Sequence, residues 1–284
     1  MSKVKTALTR RNFTIGSAAA LLTLNMGAAR AAGLLDDIKS RGKVVVATEA
    51  AFEPFEYVVD GKIVGYNMDI LAYIVESLGV QMEQLNLPFQ GILPGLLAKK
   101  FDFVATSVGI NEERAKKYAY TRPTGAFDNV IVVRKGDDRV KTADDLNGLI
   151  VATQLASSVQ PILDAHNAAL KAKSGGYGEL KLFTAFPETH IALASGQVDA
   201  IVIASPSAAV LMKNVADTYQ VAAKIGESSY LSWVTRPDNL DMRDYINSKV
   251  DELNDSGKLK ELQMKWFGFE MQTPKDGYLP AGAF

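Results

Sequence analysis

The stretch FDFVATSVGINEER (101–114) places an apolar run directly before a short loop and the first turn of a helix. Aromatic and β-branched residues predict a strand over 101–108, and the following NEERAKKYA (111–119) predicts the start of a helix. Arg114 therefore lies just beyond the carboxyl end of a strand. Open α/β sheets bind their ligands at that end of the strands.

The same order of strand and helix repeats on both sides of this stretch. Before it, a β-branched run (43–48) precedes an amphipathic helical pattern. After it, a second alternating series begins near Asn129, and two amphipathic helices fill 241–268. Alternation of this kind predicts α/β sheets with helices on both faces. Two such series predict two lobes with a ligand cleft between them.

Residues 1–31 have the pattern of an export signal. A basic start is followed by a mildly apolar stretch and by the small-residue cleavage pattern Ala29-Arg30-Ala31. The pair Arg10 and Arg11 resembles the twin-arginine type, which carries folded cargo across the inner membrane. We therefore expect a periplasmic protein. A general secretory signal with an incidental arginine pair is the alternative.

Composition and charge exclude several function classes. The 284 residues, 48% hydrophobic and 22% charged, suffice for two separate cores. Five of the 31 basic residues lie in 1–31, which leaves 26 basic and 32 acidic residues and a net charge of about −6. This charge disfavours nucleic acid or anionic membrane as the partner. The absence of Cys removes disulfides, thiolate chemistry and lipid-modified cysteine.

Six motifs occur in order along the chain: TEAAFEPFEY (48–57), GKIVGYNMDI (61–70), FQGILPGLLAKKFDFVATSVGINEER (89–114), LIVATQLASS (149–158), VDAIVIASPSA (198–208) and GKLKELQMKWFG (257–268). With these motifs, the chain resembles the polar amino-acid solute-binding proteins of ABC importers over nearly its whole mature length.

The resemblance implies a bilobed, type II periplasmic-binding-protein-like fold, in which two three-layer α/β lobes are joined by a two-strand hinge. Lobe 1 is expected in 34–127 plus 236–284 and lobe 2 in 128–235, with hinge strands near Val130 and Ser232. Trp233 either lines the cleft or braces the hinge. The implied function is ligand capture by lobe closure and delivery to an inner-membrane permease. We expect a monomer with no cofactor and no metal.

The resemblance also implies roles for individual residues. Arg114 is the family's carboxylate-binding arginine, which forms a bidentate charge-assisted pair with the ligand. Thr106 and Ser107 are expected to contact the same carboxylate from lobe 1. Ser157 and Ser158 are expected to contact it from lobe 2, at the N-terminus of a helix.

A second group of residues faces the ligand's side chain in the family. Phe52 and Phe89 match positions that hold aromatic rings, and Glu49 matches a position where relatives that select basic ligands hold an acid. Together they predict a wall that accepts a cation. The structural alternatives are core packing for the two rings and a solvated strand end for the glutamate.

The sequence departs from the family at the two positions that bind an α-ammonium group. Ala204 replaces the usual Asp in VDAIVIA, and Gly109 replaces a hydroxyl residue. An unpaired ammonium in a closed cleft is costly. An ordinary amino acid or close derivative therefore remains one hypothesis. A modified zwitterion without a primary α-amine (ectoine-, betaine- or opine-like) is a second, and a plain organic acid is a third.

Other function classes remain as alternatives. Some proteins of this fold resemble cyclohexadienyl dehydratases, for which Glu49 is the candidate general acid, although Ala204 removes another acid position. His166 and His190 lie on predicted helices without a third metal ligand at suitable spacing, so no metal site is predicted. A sensory role would need a separate membrane partner.

Overall fold

The computed structural model describes residues 33–284, and the predicted export signal lies outside them. Up to Phe127, the elements in chain order are α1 (Leu34–Arg41), β1 (Lys43–Thr48), β2 (Ala51–Phe52), β3 (Glu56–Val59), β4 (Lys62–Val64), α2 (Tyr66–Leu78), β5 (Gln81–Asn86), α3 (Phe89–Leu97), β6 (Phe103–Gly109), α4 (Glu112–Ala115), β7 (Ala119–Tyr120) and β8 (Gly125–Phe127).

From Asn129 onward they are β9 (Asn129–Arg134), a 3-10 turn (Ala143–Leu146), β10 (Ile150–Gln154), α5 (Gln160–Lys171), β11 (Glu179–Phe183), α6 (Phe186–Ala194), β12 (Ala200–Ala204), α7 (Ser205–Asn214), β13 (Tyr219–Lys224), β14 (Ser229–Thr235), α8 (Leu240–Asp255) and α9 (Lys258–Trp266).

The first sheet has the strand order β5-β1-β6-β14-β7, and β8 also pairs with β14. Strand β1 runs parallel to β5 and β6, whereas β14 runs antiparallel to β6. Strands β2, β3 and β4 form a separate antiparallel ribbon. Its turn falls at Asp60-Gly61, where both residues have positive φ, as a two-residue hairpin loop requires.

Alternate side chains of the first sheet face opposite helix layers, because successive residues of a strand point to opposite faces. Phe103 and Ala105 of β6 pack in the core formed with α1, α2, α8 and α9. Val104 and Val108 of the same strand pack with Ile92 of α3 on the other face. The first sheet and these helices form the first lobe.

The second sheet has the order β11-β10-β12-β9-β13. Strand β10 is parallel to β11 and β12, and β9 is antiparallel to both of its neighbours. Ile201 and Ile203 of β12 pack with helices α6 and α7, whereas Val202 packs on the opposite face with Leu163 of α5. The second sheet and these helices form the second lobe.

The chain passes twice between the lobes. The first crossover lies between β8 and β9, and the second lies between β13 and β14. At the crossovers, the Asp128 carboxylate accepts a hydrogen bond from the Ser228 hydroxyl at 2.5 Å and pairs with Lys224. Strand β14, predicted within lobe 2, instead pairs with β6, β7 and β8, so its backbone hydrogen bonds hold it in the first sheet.

Trp233 lies in the core of the first lobe. Its side chain is fully buried, and its indole stacks on the ring of Phe103 with centroids 6.2 Å apart. The sequence left two roles open for Trp233, lining the cleft or bracing the hinge, and its position in the core matches neither.

Candidate functional site

A small cavity of about 30 Å³ lies between the two lobes. The first lobe supplies Glu49, Phe52, Phe89, Ser107, Gly109, Phe127 and Leu231, and the second supplies Gln154, Ser157, Ser158, Val159, Phe186 and Ala204. Side chains from both lobes therefore enclose one site.

Eight of the ten residues predicted from the sequence line this cavity, and Thr106 and Arg114 do not. Thr106 is buried behind the wall, where its hydroxyl donates to Glu56. Arg114 borders an adjacent open pocket of about 330 Å³, which shares Phe89 and Ser157 with the cavity. Arg114 thus lies at the edge of the enclosed space.

The position of Arg114 follows from the short helix that carries it. The Asn111 side chain accepts a hydrogen bond at 2.9 Å from the Arg114 backbone N–H and so caps α4. The guanidinium donates to the Gly109 carbonyl at 3.3 Å and to the Ala156 carbonyl at 2.5 Å, and it packs 5.6 Å from the centroid of the Phe89 ring. It therefore joins the two lobes.

Ser157 and Ser158 lie in a turn before α5. The helix predicted to begin at Ser157 begins at Gln160, because the chain first turns through Ala156, which has a φ of 59°. The buried Ser157 hydroxyl has no hydrogen-bond partner among residues 33–284. A buried hydroxyl that faces a cavity and lacks a partner is available to a ligand.

Gly109 and Ser158 approach each other closely across the cleft. A Cβ at position 109 would lie 2.2 Å from the Ser158 Oγ and 2.7 Å from its Cβ. Ser158 therefore occupies the space that a side chain at 109 would need. Position 109 carries no hydroxyl group of its own, but the Ser158 hydroxyl of the opposite lobe lies next to it.

The rest of the second-lobe wall is largely apolar. Ala204 is 4% exposed, and it lines the cavity together with Val159 and Phe186. The Phe186 ring stacks on Phe52 of the first lobe at 5.1 Å between centroids. Sequence reasoning missed Phe186, because its position at the start of α6 does not show that the ring crosses the cleft.

Glu49 is a buried acid in the cavity wall. It accepts hydrogen bonds from the side-chain amide of Gln154, in the second lobe, and from the backbone N–H of Phe89. Burial and the nearby Glu56 raise the pKa of Glu49 to about 8. Gln154 was not predicted, although a polar residue at the end of the apolar strand β10 was the available signal.

Glu56 is a second buried carboxyl behind the wall, and sequence reasoning missed it. Its oxygens accept hydrogen bonds from the Thr106 hydroxyl at 2.6 Å, the Ser107 backbone N–H at 2.9 Å and the Asn67 amide at 2.6 Å. Burial raises the pKa of Glu56 to about 7 against the lowering effect of these donors. Glu56 thereby fixes the end of β6 that supplies Ser107 to the cavity.

The histidines lie outside the cavity. His166 bonds the Tyr177 hydroxyl at 2.8 Å, and burial lowers the pKa of His190 to about 4. Within 33–284, no group of three or more His, Cys, Asp or Glu side chains has a geometry suited to a metal ion. None of the helices in that range is long and apolar enough to cross a membrane.

Two α/β lobes around an enclosed cavity define a ligand-binding protein of the type II periplasmic binding class. The chain matches the model of the bacterial extracellular solute-binding proteins, family 3, over residues 44–269, and it belongs to that family. It is similar to the L-cystine-binding protein TcyJ of Escherichia coli (strain K12), with 28% identity over 241 residues, which cover 84% of this chain and 88% of the relative.

Two solved structures are also similar. A mutant of ArgBP from T. maritima has a TM-score of 0.74 and 34% identity, with 83% of this chain and 100% of that chain covered. An ancestral amino acid-binding protein, described as a precursor of cyclohexadienyl dehydratase, has a TM-score of 0.74 and 27% identity over 83% and 100% of the two chains. The bilobed α/β fold predicted from the sequence is confirmed.

Proposed function

We propose that the protein is the periplasmic binding component of an ABC importer and that it captures an amino acid or a close derivative by lobe closure. The observation that carries this proposal is the interlobe cavity, which has an arginine and an unpartnered hydroxyl at its edge and a buried acid in its wall. Those groups are complementary to a small zwitterion.

The ligand's carboxylate is assigned to the region of Arg114, Ser157 and Ser158. A guanidinium has more N–H donors than the two main-chain bonds of Arg114 use, so it can also bind a carboxylate. Ser157 adds a hydroxyl donor from the second lobe, and Ser107 adds one from the first. Because these groups come from both lobes, a bound carboxylate favours the closed arrangement over an open one.

The ligand's positive group is assigned to Glu49, which lines the cavity together with Phe52 and Phe89. Glu49 is the one carboxyl side chain among the residues that line the cavity. Aromatic faces stabilise a cation that is removed from water. Relatives are named for cystine and for arginine, so an amino acid with a polar or charged group distal to its carboxylate fits this arrangement.

The cellular setting follows from the family and from the N-terminal pattern. We propose a periplasmic monomer that delivers its ligand to an inner-membrane permease. The first lobe is assigned to 33–127 plus 229–284 and the second to 128–228, with the hinge at the two crossovers. Export through the twin-arginine route is part of this proposal, and replacing Arg10 and Arg11 by lysine tests it by fractionation.

A modified zwitterion without a primary α-amine is a second candidate ligand. Ala204 and its apolar neighbours favour it, because the second lobe supplies no carboxyl group to the cavity wall. Substituted or delocalised cations need fewer hydrogen-bond acceptors than a primary ammonium does. They are therefore better suited to a wall of aromatic and aliphatic side chains.

A cyclohexadienyl-dehydratase-like reaction is the second candidate function. Its supporting observation is Glu49, because an acid whose pKa is raised towards neutrality can donate a proton to a leaving group. We propose binding without catalysis as the main function. Incubation with prephenate or arogenate tests the alternative, and turnover that Glu49→Gln abolishes is the result that would support it.

The test of the main proposal is a thermal-unfolding screen of protein that has been unfolded and refolded to remove any carried-over ligand. Paired zwitterions with and without a primary α-amine are compared. A ligand at about 100 times its dissociation constant stabilises the folded state by about 2.7 kcal/mol, which shifts the melting midpoint measurably. If neither class produces a shift, the proposed ligand class is wrong.

A further inference from the structure

The buried residues Glu49 and Glu56 both contact Thr106 beside the cavity. The Thr106 hydroxyl donates to the Glu56 carboxylate at 2.6 Å and accepts a hydrogen bond from the backbone N–H of Glu49 at 3.4 Å. Glu49 is 5% exposed and Glu56 is fully buried. Burial and the charge of Glu56 raise the pKa of Glu49, because two neighbouring carboxylates removed from water do not both ionise readily.

The hydrogen bonds show which member of the pair holds the negative charge. Glu56 receives the Thr106 hydroxyl, the Ser107 backbone N–H and the Asn67 amide. This set of donors stabilises a carboxylate. Glu49 receives fewer donors, namely the Gln154 amide and the Phe89 backbone N–H. As the pH rises, Glu56 therefore loses its proton before Glu49 does.

The other groups around Glu49 are uncharged. Thr106 faces it from β6, Gln154 from β10 and the backbone of Phe89 from α3. Among residues 33–284, Glu56 is the titratable side chain whose charge raises the pKa of Glu49. The Arg114 guanidinium packs on the ring of Phe89 and donates to the carbonyls of Gly109 and Ala156.

Glu49 also lines a second, open pocket of about 240 Å³, between the segment 86–88 of the first lobe and Thr184 and Ala185 of the second. Glu49 therefore lies between the cavity and an open pocket at the surface.

We propose that Glu49 and Glu56 share one negative charge in the empty site, and that a ligand's cationic group displaces the proton of Glu49 into solvent as it binds. This inference rests on the proposed function, because it needs a cationic group at Glu49. The O–H bond of Glu49 breaks, its electron pair stays on the carboxylate, and the resulting anion pairs with the ligand. Cation capture is thus linked to proton release.

The linkage makes affinity depend on pH in a defined direction. Below the pKa of Glu49, the affinity for a cation-bearing ligand rises with pH, by at most about tenfold per unit, because one proton must leave. Above that pKa the dependence disappears. A ligand of the same shape without the positive charge binds with the proton retained, so its affinity does not follow this dependence.

The first test needs no ligand. Side-chain carboxyl groups of the full chain, labelled with ¹³C, are titrated by NMR in wild type, Glu49→Gln and Glu56→Gln, with the exposed Glu76→Gln as the matched control. We expect one carboxyl of the wild-type pair to titrate well above the usual range and the Glu49 signal to move down in Glu56→Gln. Ordinary titration of both carboxyls overturns the proposal. If Glu56→Gln does not fold, Glu49→Gln is used in its place, and the pKa of Glu56 should then be lower than in wild type.

The second test is calorimetry at pH 7 in buffers of different ionisation enthalpy, with L-arginine and its neutral isostere L-citrulline as probes. We expect arginine binding to release close to one proton and citrulline binding to release none. If arginine binds with a heat that does not depend on the buffer, proton linkage is refuted while the receptor function stands. If neither probe nor any other amino acid binds, the receptor proposal fails and the NMR titration alone decides the charge sharing.

Discussion

Replacing Gly109 by alanine is expected to weaken ligand binding by obstructing closure of the lobes. The added Cβ would lie 2.2 Å from the Ser158 Oγ and 2.7 Å from its Cβ. Rotation of the hydroxyl relieves the first contact. It does not relieve the second, because Cβ is fixed to the Ser158 backbone. The two lobes must therefore separate locally, and overpacking of this kind costs about 1–3 kcal/mol.

That cost corresponds to a dissociation constant about 5 to 150 times larger, because about 1.4 kcal/mol is a factor of ten. The assay is calorimetry with the ligand that gives the largest thermal shift. Gly91→Ala is the matched control, since its Cβ meets no atom within 4 Å. Combining Gly109→Ala with Ser158→Gly should impair binding less than the sum of the single changes. Wild-type affinity in Gly109→Ala, or strict additivity in the pair, would refute this reasoning.

Three further predictions concern other parts of the site and core. Arg114→Lys should raise the dissociation constant roughly tenfold or more, since charged hydrogen bonds contribute about 1.5–3 kcal/mol, and calorimetry showing unchanged affinity would count against Arg114 as the carboxylate partner. The ligand-free protein should become less stable as the pH rises from 5 to 8, because the raised pKa values of Glu49 and Glu56 make the folded state bind more protons than the unfolded state. The melting temperature of Glu49→Gln should depend less on pH over the same range. Trp233→Ala should lower the free energy of unfolding by about 3–5 kcal/mol in urea titrations, whereas a small change would contradict its placement in the core.

Local sequence patterns determine much of the first sheet and its helices. The run 43–48 predicts β1 at the bounds that the structure has. Helix α2 begins at Tyr66, whereas the apolar residues with helical spacing begin only at Ile70. Gly65, with a φ of 132°, lets the chain enter the helix there, and the Phe55 carbonyl comes so close that a Cβ at 65 would lie 2.3 Å from it. This contact between Gly65 and Phe55 is a tertiary contact, so the hydrophobic periodicity of the sequence alone does not show it.

The residues of the candidate site also fall into two groups, those that local sequence patterns indicate and those that depend on tertiary contacts. The motif 101–114 places Arg114 at the edge of the cavity, and eight of the predicted residues line the cavity because each lies at or near the end of a strand. Glu56, Gln154 and Phe186 were missed, because their roles depend on distant parts of the chain. Glu56 is buried only when β6 packs against the ribbon, and the other two reach the first lobe only when the lobes close.

The central claim is that a zwitterion binds across the interlobe cavity with its carboxylate at Arg114. A crystal structure with the ligand that gives the largest thermal shift tests it most directly. The account predicts carboxylate oxygens within hydrogen-bond distance, about 2.7–3.2 Å, of the Arg114 guanidinium and the Ser157 hydroxyl, with the positive group at Glu49. A ligand bound in the reverse orientation, or outside the cavity, would contradict it.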